Sequence, residues 1–284
     1  MTPLVRRVLA GDIELSVREW PGDGRSFLLV HGLASNAMTW ERVARLLNAM
    51  GHRVIAVDQR GHGRSDKPET GYGFDRVTSD LRSLVDALGL ERPIIAGQSW
   101  GGNVVLEFAT RFPGTAAGIV LVDGGFIDLS SRPGATWETV SQQLRPPHLI
   151  GTPRTQMLER MRSFHPAWDD EQIEMQMGNF ETLEDGTIRP WLTLERHMEI
   201  LRSLWDHRPS QLADRAVLPV LIAVADTPDE ERRKRREEEL AKLVPRLKHA
   251  EMRHFPGAAH DIHVDQPREL AHWLLDARER GFFD

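Results

Sequence analysis

Short apolar runs alternate along this chain with longer stretches in which apolar residues recur every three or four positions. Runs of the first kind are typical of strands buried in a parallel sheet, and stretches of the second kind are typical of amphipathic helices. The short runs predict strands at Phe27–Val30, Arg53–Val57, Pro93–Ala96, Ile119–Val122 and Val220–Val224, with a short last strand at Glu251–Phe255. The longer stretches predict helices at Trp40–Met50, Phe74–Leu88, Gly102–Ala109, Glu230–Val244 and Arg268–Arg278.

The N-terminus has a different pattern, in which apolar and polar residues alternate at Val5–Leu9 and Ile13–Trp20 on either side of Gly11-Asp12. This pattern predicts a β-hairpin. Strands that alternate with helices through the rest of the chain imply a mostly parallel sheet with helices on both faces. The predicted fold class is therefore α/β.

The alternation of strands and helices stops between Phe126 and about Leu212. This segment holds four of the eight tryptophans of the chain and a group of methionines. Its pattern predicts several short helices joined by proline-containing loops. We therefore divide the chain into a core made of residues 1–125 and 213–284 and an insertion at residues 126–212.

Composition removes several classes of function. With 36 Lys and Arg against 42 Asp and Glu, the net charge is −6, so there is no electrostatic case for binding nucleic acid or a membrane surface. No cysteine is present, which excludes disulfides, thiolate metal sites and a cysteine nucleophile. The chain has no apolar run long enough to cross a membrane and no signal-peptide core, so we expect a cytoplasmic protein. The basic and acidic residues of Arg232–Glu239 lie at helical spacing and predict a solvated helix face.

The most informative motif is Gly97-Gln98-Ser99-Trp100-Gly101, which follows a predicted strand and precedes a predicted helix. Strand, tight turn and helix form the context in which a G-x-S-x-G match is a nucleophile elbow. A serine at such a turn points its hydroxyl out of the sheet, and the helix N-terminus stabilises a developing negative charge. We predict Ser99 as a nucleophile.

Other candidates follow the remaining strands. Ligands bind at the carboxyl ends of the strands in sheets of this kind. The positions that follow predicted strands include Leu33, Asp123, Asp226, Asp229 and His260.

Several motifs occur in an order that resembles the α/β-hydrolase superfamily. They are His31-Gly32, the loop Asp58-x-Arg60-Gly61-His62-Gly63-x-Ser65, the elbow Gly97-x-Ser99-x-Gly101-Gly102, and Gly257-x-x-His260 before the last helix. The resemblance implies an α/β-hydrolase fold, a Ser–His–acid apparatus, and a helical cap formed by residues 126–212 over the active site.

The resemblance also assigns roles to individual residues. His260 is the expected base, which takes the proton of Ser99 and later protonates the leaving group. His263, three residues further on, is the alternative base, although a structural role suits it better. The backbone N–H groups of Leu33 and Trp100 are the expected oxyanion hole. The Trp100 indole either lines the pocket or packs against its own helix.

The sequence does not decide which residue is the acid of the triad. Relatives usually carry it after the strand that corresponds to Val220–Val224, but this chain has Ala225-Asp226-Thr227-Pro228-Asp229 there, with proline where the acid is expected. Some members, including certain haloalkane dehalogenases and zearalenone lactonases, take the acid from the preceding strand end, which corresponds to Asp123. We favour Asp123, with Asp229 as the alternative and Asp226 as a weaker one.

The predicted function is a serine hydrolase for an uncharged, fairly apolar ester or lactone of small size. The expectation of apolarity rests on the methionines and tryptophans of the insertion, which either line a pocket or form the core of the insertion itself. A carbon–carbon bond hydrolase with the same triad, a cofactor-free haloperoxidase-like activity, a ligand receptor that keeps the triad without multiple turnover, and a pseudoenzyme with a broken acid are the alternatives. We expect no metal and no organic cofactor, because a triad and an oxyanion hole suffice.

Overall fold

Six strands and three helices build the first part of the core in the computed structural model, which describes residues 1–284. The strands are β1 (Leu4–Ala10), β2 (Ile13–Trp20), β3 (Gly24–Val30), β4 (His52–Val57), β5 (Ile94–Gln98) and β6 (Gly118–Val122). The helices are α1 (Glu41–Ala49), α2 (Phe74–Ala87) and α3 (Trp100–Arg111). The predicted elements of this part are confirmed, including the hairpin of β1 and β2.

The insertion contains helices and also a small sheet. Its helices are α4 (Trp137–Gln143), α5 (Arg154–Phe164), α6 (Asp170–Met177), α7 (Leu194–Asp206) and α8 (Pro209–Leu212). Its strands are β7 (Thr152–Pro153), β8 (Phe180–Thr182) and β9 (Thr187–Pro190), paired antiparallel in the order β7-β9-β8. The prediction of helices and loops alone is therefore wrong for this segment. Strands of two to four residues are too short to show a period of two in the sequence.

The chain then returns to the core with β10 (Val220–Ala225), α9 (Glu230–Leu243), β11 (Ala250–Phe255), α10 (Ile262–Asp265) and α11 (Pro267–Glu279). Short 3-10 helices lie at Ala37–Trp40, Leu129–Ser131, Ala213–Arg215 and Val244–Arg246. The core sheet has the order β1-β2-β4-β3-β5-β6-β10-β11. Its pairs β1–β2 and β2–β4 are antiparallel and the other pairs are parallel, so the predicted fold class is confirmed.

Apolar layers cover both faces of this sheet. In β3, Leu28 and Val30 belong to one layer, and Phe27 and Leu29 belong to the other, because successive side chains of a strand point to opposite faces. Helices α2 and α3 pack in the first layer, and α1 and α11 pack in the second. Burial on both faces explains why the central strands have apolar runs rather than alternation.

None of the helices combines the length and the apolarity that crossing a membrane requires.

Candidate active site

Ser99 occupies the sharp turn between β5 and α3. Its backbone has φ 55° and ψ −125°, a conformation that side-chain-bearing residues rarely adopt. The turn is held on both sides, because the Ser99 N–H donates to the Val122 carbonyl at 2.9 Å and the Gly102 N–H donates to the Ser99 carbonyl at 2.9 Å. The predicted strand–turn–helix context of the motif is present.

The flanking glycines have a steric reason. A Cβ at Gly97 would overlap the Gly101 carbonyl, and a Cβ at Gly101 would overlap the His31 carbonyl. Only glycine allows the strand, the turn and the helix to approach so closely. The spacing of the motif is therefore a packing requirement of the turn that presents Ser99.

His260 and Asp123 meet across two strand ends. His260 Nδ1 lies 2.7 Å from Asp123 Oδ2, and the other oxygen of Asp123 accepts the Ala225 N–H at 3.1 Å. The Asp123 side chain is 2% exposed, whereas that of His260 is 51% exposed. This arrangement directs His260 Nδ1 toward the acid and leaves its Nε2 free to take a proton.

Opposing effects set the pKa of His260. Desolvation works against the protonated imidazole, but the hydrogen bond and the negative charge of Asp123 outweigh it, so the pKa of His260 is raised above its ordinary value. An acid in this position fixes the imidazole tautomer and stabilises the imidazolium.

Asp229 and Asp226 do not reach His260. Asp229 caps α9 by accepting the Arg232 N–H at 3.0 Å, and both aspartates are exposed. Of the three candidate acids, Asp123 is the one that the structure brings to the histidine. Its catalytic role stays a prediction.

Arg236 is a partner of Asp123 that sequence reasoning missed. Its guanidinium donates to Asp123 Oδ2 at 2.9 Å, the same oxygen that faces His260, and also to the Ala225 carbonyl. The run that contains Arg236 was predicted to be a solvated helix face. The sequence held one indication that Arg236 faces the protein. It lies three and four positions before Glu239 and Leu240, which are on the buried side of α9, and this spacing places all three on one side of a helix.

The backbone N–H groups of Leu33 and Trp100 are the expected oxyanion donors. Neither donates a hydrogen bond to another backbone group of the protein. Buried histidines shape the turn around Leu33. His31 Nε2 accepts the Gln59 N–H at 3.0 Å, and His62 Nε2 accepts the Ala34 N–H at 3.2 Å. Burial lowers the pKa of His31 to about 4 and that of His62 well below its ordinary value, so both rings are neutral acceptors near pH 7.

The side chains of Trp100 and His263 are buried and pack against other rings. The Trp100 indole is buried in the core and stacks on the His62 ring, with centroids 5.7 Å apart. His263 is buried against Trp40, and neither of its ring nitrogens has a hydrogen-bond partner. Burial lowers the pKa of His263 to about 3. This environment does not suit the alternative base.

The family model described as the alpha/beta hydrolase family matches residues 27–273. The chain belongs to the alpha/beta hydrolase family. The resemblance drawn from the sequence motifs is thereby confirmed.

Particular relatives add detail within this family. A haloalkane dehalogenase from Psychrobacter cryohalolentis is 35% identical over 190 residues, which cover 62% of this chain and 62% of the relative. A 2-(acetamidomethylene)succinate hydrolase from Mesorhizobium japonicum is 39% identical over 118 residues, which cover 42% of each protein. The aligned segments span 30% to 62% of the curated relatives' own lengths.

A solved structure agrees over nearly the whole chain. The crystal structure of an E-2-(acetamidomethylene)succinate hydrolase matches with a TM-score of 0.77 at 23% identity, and the match covers 98% of this chain and 99% of that one. A likeness at this identity shows a shared fold and nothing about the substrate.

A cavity of about 930 Å³ lies between the core and the insertion of this family member. Its walls are the turn at Ala34 and Ser35, the loop near His62, and residues 145–150 and 179–181 together with 189–197 of the insertion. Seven of its 23 lining residues are hydrophobic. No group of three or more His, Cys, Asp or Glu side chains is arranged to hold a metal ion.

The methionines of the insertion do not line this cavity. Met157 and Met177 are buried with Ile173 and Ile188 in a small cluster that belongs to the insertion itself. Met157 and Met177 therefore give no support to an apolar substrate, because they form part of the core of the insertion, whereas Trp191 does line the cavity.

Proposed function

We propose that this chain is a serine hydrolase that cleaves an ester or a lactone through Ser99, His260 and Asp123. The observation that carries the proposal is the pairing of His260 with Asp123 at 2.7 Å, together with a hydrogen bond of 3.2 Å from Gln98, the residue before the strained turn at Ser99, to the His260 carbonyl. A buried acid, an accessible imidazole and a serine in this arrangement match the roles of a catalytic triad.

The proposed reaction has two stages. His260 Nε2 takes the hydroxyl proton as Ser99 Oγ attacks the carbonyl carbon, and the Leu33 and Trp100 N–H groups stabilise the oxyanion. His260 then returns the proton to the leaving alkoxide as the acyl-enzyme forms. A water molecule then attacks the acyl carbonyl as His260 takes its proton, and His260 returns that proton to Ser99 Oγ as the acyl–oxygen bond breaks and the acid leaves.

The chemistry of position 99 separates this proposal from its nearest rivals. A haloalkane dehalogenase or an epoxide hydrolase needs a carboxylate nucleophile there, and this chain has serine. A carbon–carbon bond hydrolase uses the same triad, and a ligand receptor keeps the triad without multiple turnover. The carbon–carbon bond hydrolase differs from the proposal in its substrate, and the receptor differs in the absence of multiple turnover.

The test uses p-nitrophenyl esters from acetate to laurate, with a fluorophosphonate probe read by mass spectrometry. We expect the wild type to hydrolyse esters and to take up the probe at Ser99. Ser99→Ala should abolish labelling and lower kcat/KM at least about a thousandfold. Asp123→Asn should also lower kcat by orders of magnitude, whereas Asp229→Asn should stay within about twofold of the wild type.

Ser163→Ala, an exposed serine in the insertion, is the matched control and should behave as the wild type. Ester hydrolysis that survives Ser99→Ala would refute the nucleophile. Labelling of Ser99 without turnover of any ester would favour the carbon–carbon hydrolase or the receptor.

A further inference from the structure

The cavity between the core and the insertion is rich in cationic side chains. Its walls carry the cations Lys67, Arg145, Arg189 and Arg196 and the carboxylates Glu181 and Glu195. Arg189 forms an ion pair with Glu181. No carboxylate lies within ion-pair distance of Lys67, Arg145 or Arg196, and Glu195 is exposed at the start of α7.

Lys67 is held in place by uncharged groups. Its ammonium donates to the carbonyls of Gly63 at 2.7 Å and Ser65 at 2.8 Å, and lies 4.7 Å from the centroid of the Trp191 ring. These contacts fix the position of the charge without neutralising it. Burial lowers the pKa of Lys67, and the negative charge of Asp58 offsets this effect only in part, because Asp58 forms no direct ion pair with the ammonium.

Arg196 is held in the same way from the side of the insertion. Its guanidinium donates to the Pro68 carbonyl at 3.0 Å and to the Lys67 carbonyl at 2.8 Å. A half-buried charge is unfavourable unless an opposite charge compensates it. Lys67 and Arg196 therefore form a rigid pair of cations on which an anion would be stabilised.

The cavity adjoins the expected oxyanion hole. Ala34, in its wall, directly follows Leu33, and His62, also in its wall, stacks on Trp100. Leu33, Ser99, Trp100 and His260 do not themselves line the cavity, so a substrate bound at the Leu33 and Trp100 N–H groups would have to pass Ala34 and His62 to reach it. Lys67 and Trp191 also border a second cavity, of about 1000 Å³.

We infer that this cavity binds a carboxylate of the substrate, so that the ester or lactone cleaved at Ser99 belongs to a carboxylate-bearing molecule. The inference rests on the proposed function and names its substrate class. A carboxylate is the acceptor that Lys67, Arg145 and Arg196 suit through charge-assisted hydrogen bonds. The carboxylate is distal to the reacting carbonyl and takes no part in bond cleavage.

The experiment compares mono-p-nitrophenyl glutarate with p-nitrophenyl hexanoate, which are of similar length and differ in the terminal charge. We expect the wild type to prefer the glutarate ester by about tenfold or more in kcat/KM. Arg145→Gln and Lys67→Met should each lower the ratio of the two kcat/KM values several-fold. Arg145 makes no side-chain hydrogen bond within the protein, so the first variant keeps the fold even where Lys67→Met weakens its loop.

Arg160→Gln is the matched control, because Arg160 is an exposed arginine of the insertion outside the cavity. Arg160→Gln changes the net charge as Arg145→Gln does, and it should leave the ratio of the two kcat/KM values unchanged. Binding of glutarate to the Ser99→Ala protein, measured by calorimetry, gives a second readout that needs no turnover. It should weaken in the double variant Ser99→Ala with Arg145→Gln.

The possible outcomes separate the two proposals. Ser99-dependent hydrolysis with equal rates for both esters and no binding of glutarate would overturn the carboxylate site and keep the serine hydrolase. Binding of glutarate that depends on Arg145, without hydrolysis of either ester, would support the carboxylate site and count against ester cleavage. A ratio that falls equally in Arg160→Gln would overturn a local site in favour of long-range charge.

Discussion

Asp123 has two partners on one carboxylate oxygen, an imidazole and a guanidinium. Its Oδ2 faces His260 Nδ1 at 2.7 Å and the Arg236 guanidinium at 2.9 Å. The two partners have opposite effects on His260, because Asp123 raises the pKa of His260 and the positive charge of Arg236 lowers it. We therefore expect Arg236 to position Asp123 and to moderate the basicity of the histidine.

Replacement of Arg236 should change the pH profile of the reaction. The base must be neutral to act, so kcat/KM falls as pH drops through the pKa of free His260. Arg236→Gln removes a nearby positive charge, which raises that pKa, and the acidic limb of the kcat/KM profile should move to higher pH. Arg236→Lys should keep the limb near its wild-type position and lower kcat through the lost second hydrogen bond.

Arg233→Gln, an exposed position on the same helix, is the control for the loss of one charge. A profile that is identical in Arg236→Gln and in the wild type would show that Arg236 acts only on the structure of α9.

At the scale of elements, the insertion contacts the loop that carries His260. Trp168, between α5 and α6, donates from its indole to Asp265 Oδ1 at 2.7 Å. The other oxygen of Asp265 accepts the N–H of Ala259, the residue before His260, at 2.7 Å. Gln172 of α6 donates to the Val264 carbonyl at 2.7 Å. The position of the insertion and the position of the His260 loop are therefore linked.

Trp168→Phe should loosen the His260 loop. The change removes the indole donor and keeps an aromatic ring against His165. We expect kcat to fall several-fold, amide hydrogen exchange of residues 256–261 to become faster, and the melting temperature to change little, because Trp168 is only partly buried.

Trp137→Phe is the matched control, since Trp137 packs against Trp205 elsewhere in the insertion. If exchange in residues 256–261 and kcat are the same in Trp168→Phe as in this control, the insertion does not hold the base.

For the whole molecule, buried histidines make stability depend on pH. Burial lowers the pKa of His31 to about 4, that of His263 to about 3, and that of His62 well below its ordinary value. In the unfolded chain these histidines titrate near 6.5. Below that pH the unfolded state binds more protons than the folded state, so stability falls as pH is lowered. His260, whose pKa is raised, acts in the opposite direction.

The free energy of unfolding should therefore decrease between pH 7.5 and pH 5. His31 and His263 should each contribute about 2 kcal/mol to this decrease by pH 5. That is a large part of a typical total of about 5–15 kcal/mol. Urea unfolding at the two pH values measures it, and His263→Phe should reduce the decrease because its ring does not titrate. An equal decrease in the variant would show that His263 is protonated in the folded protein.

The sequence by itself determined the features that depend on neighbouring residues. Apolar runs and helical spacing predicted the strands and helices of the core, because each element buries a face that its own pattern defines. The turn at Ser99 was also predictable, since the glycines at positions 97 and 101 relieve clashes within one strand–turn–helix unit. Family membership followed from the order of such local motifs.

Only the tertiary structure decided which distant side chains meet. Asp123 and His260 are 137 positions apart, and their contact depends on the neighbouring positions of β6, β10 and β11 in the sheet. The proline at position 228 favoured Asp123 over Asp229 without deciding between them, and the helical spacing of Arg236 from Glu239 and Leu240 did not identify Asp123 as its partner. The location of the methionines was also undecided by the sequence, because an apolar side chain suits a pocket wall and a small core equally well. The tertiary structure shows that Met157 and Met177 are buried in the core of the insertion.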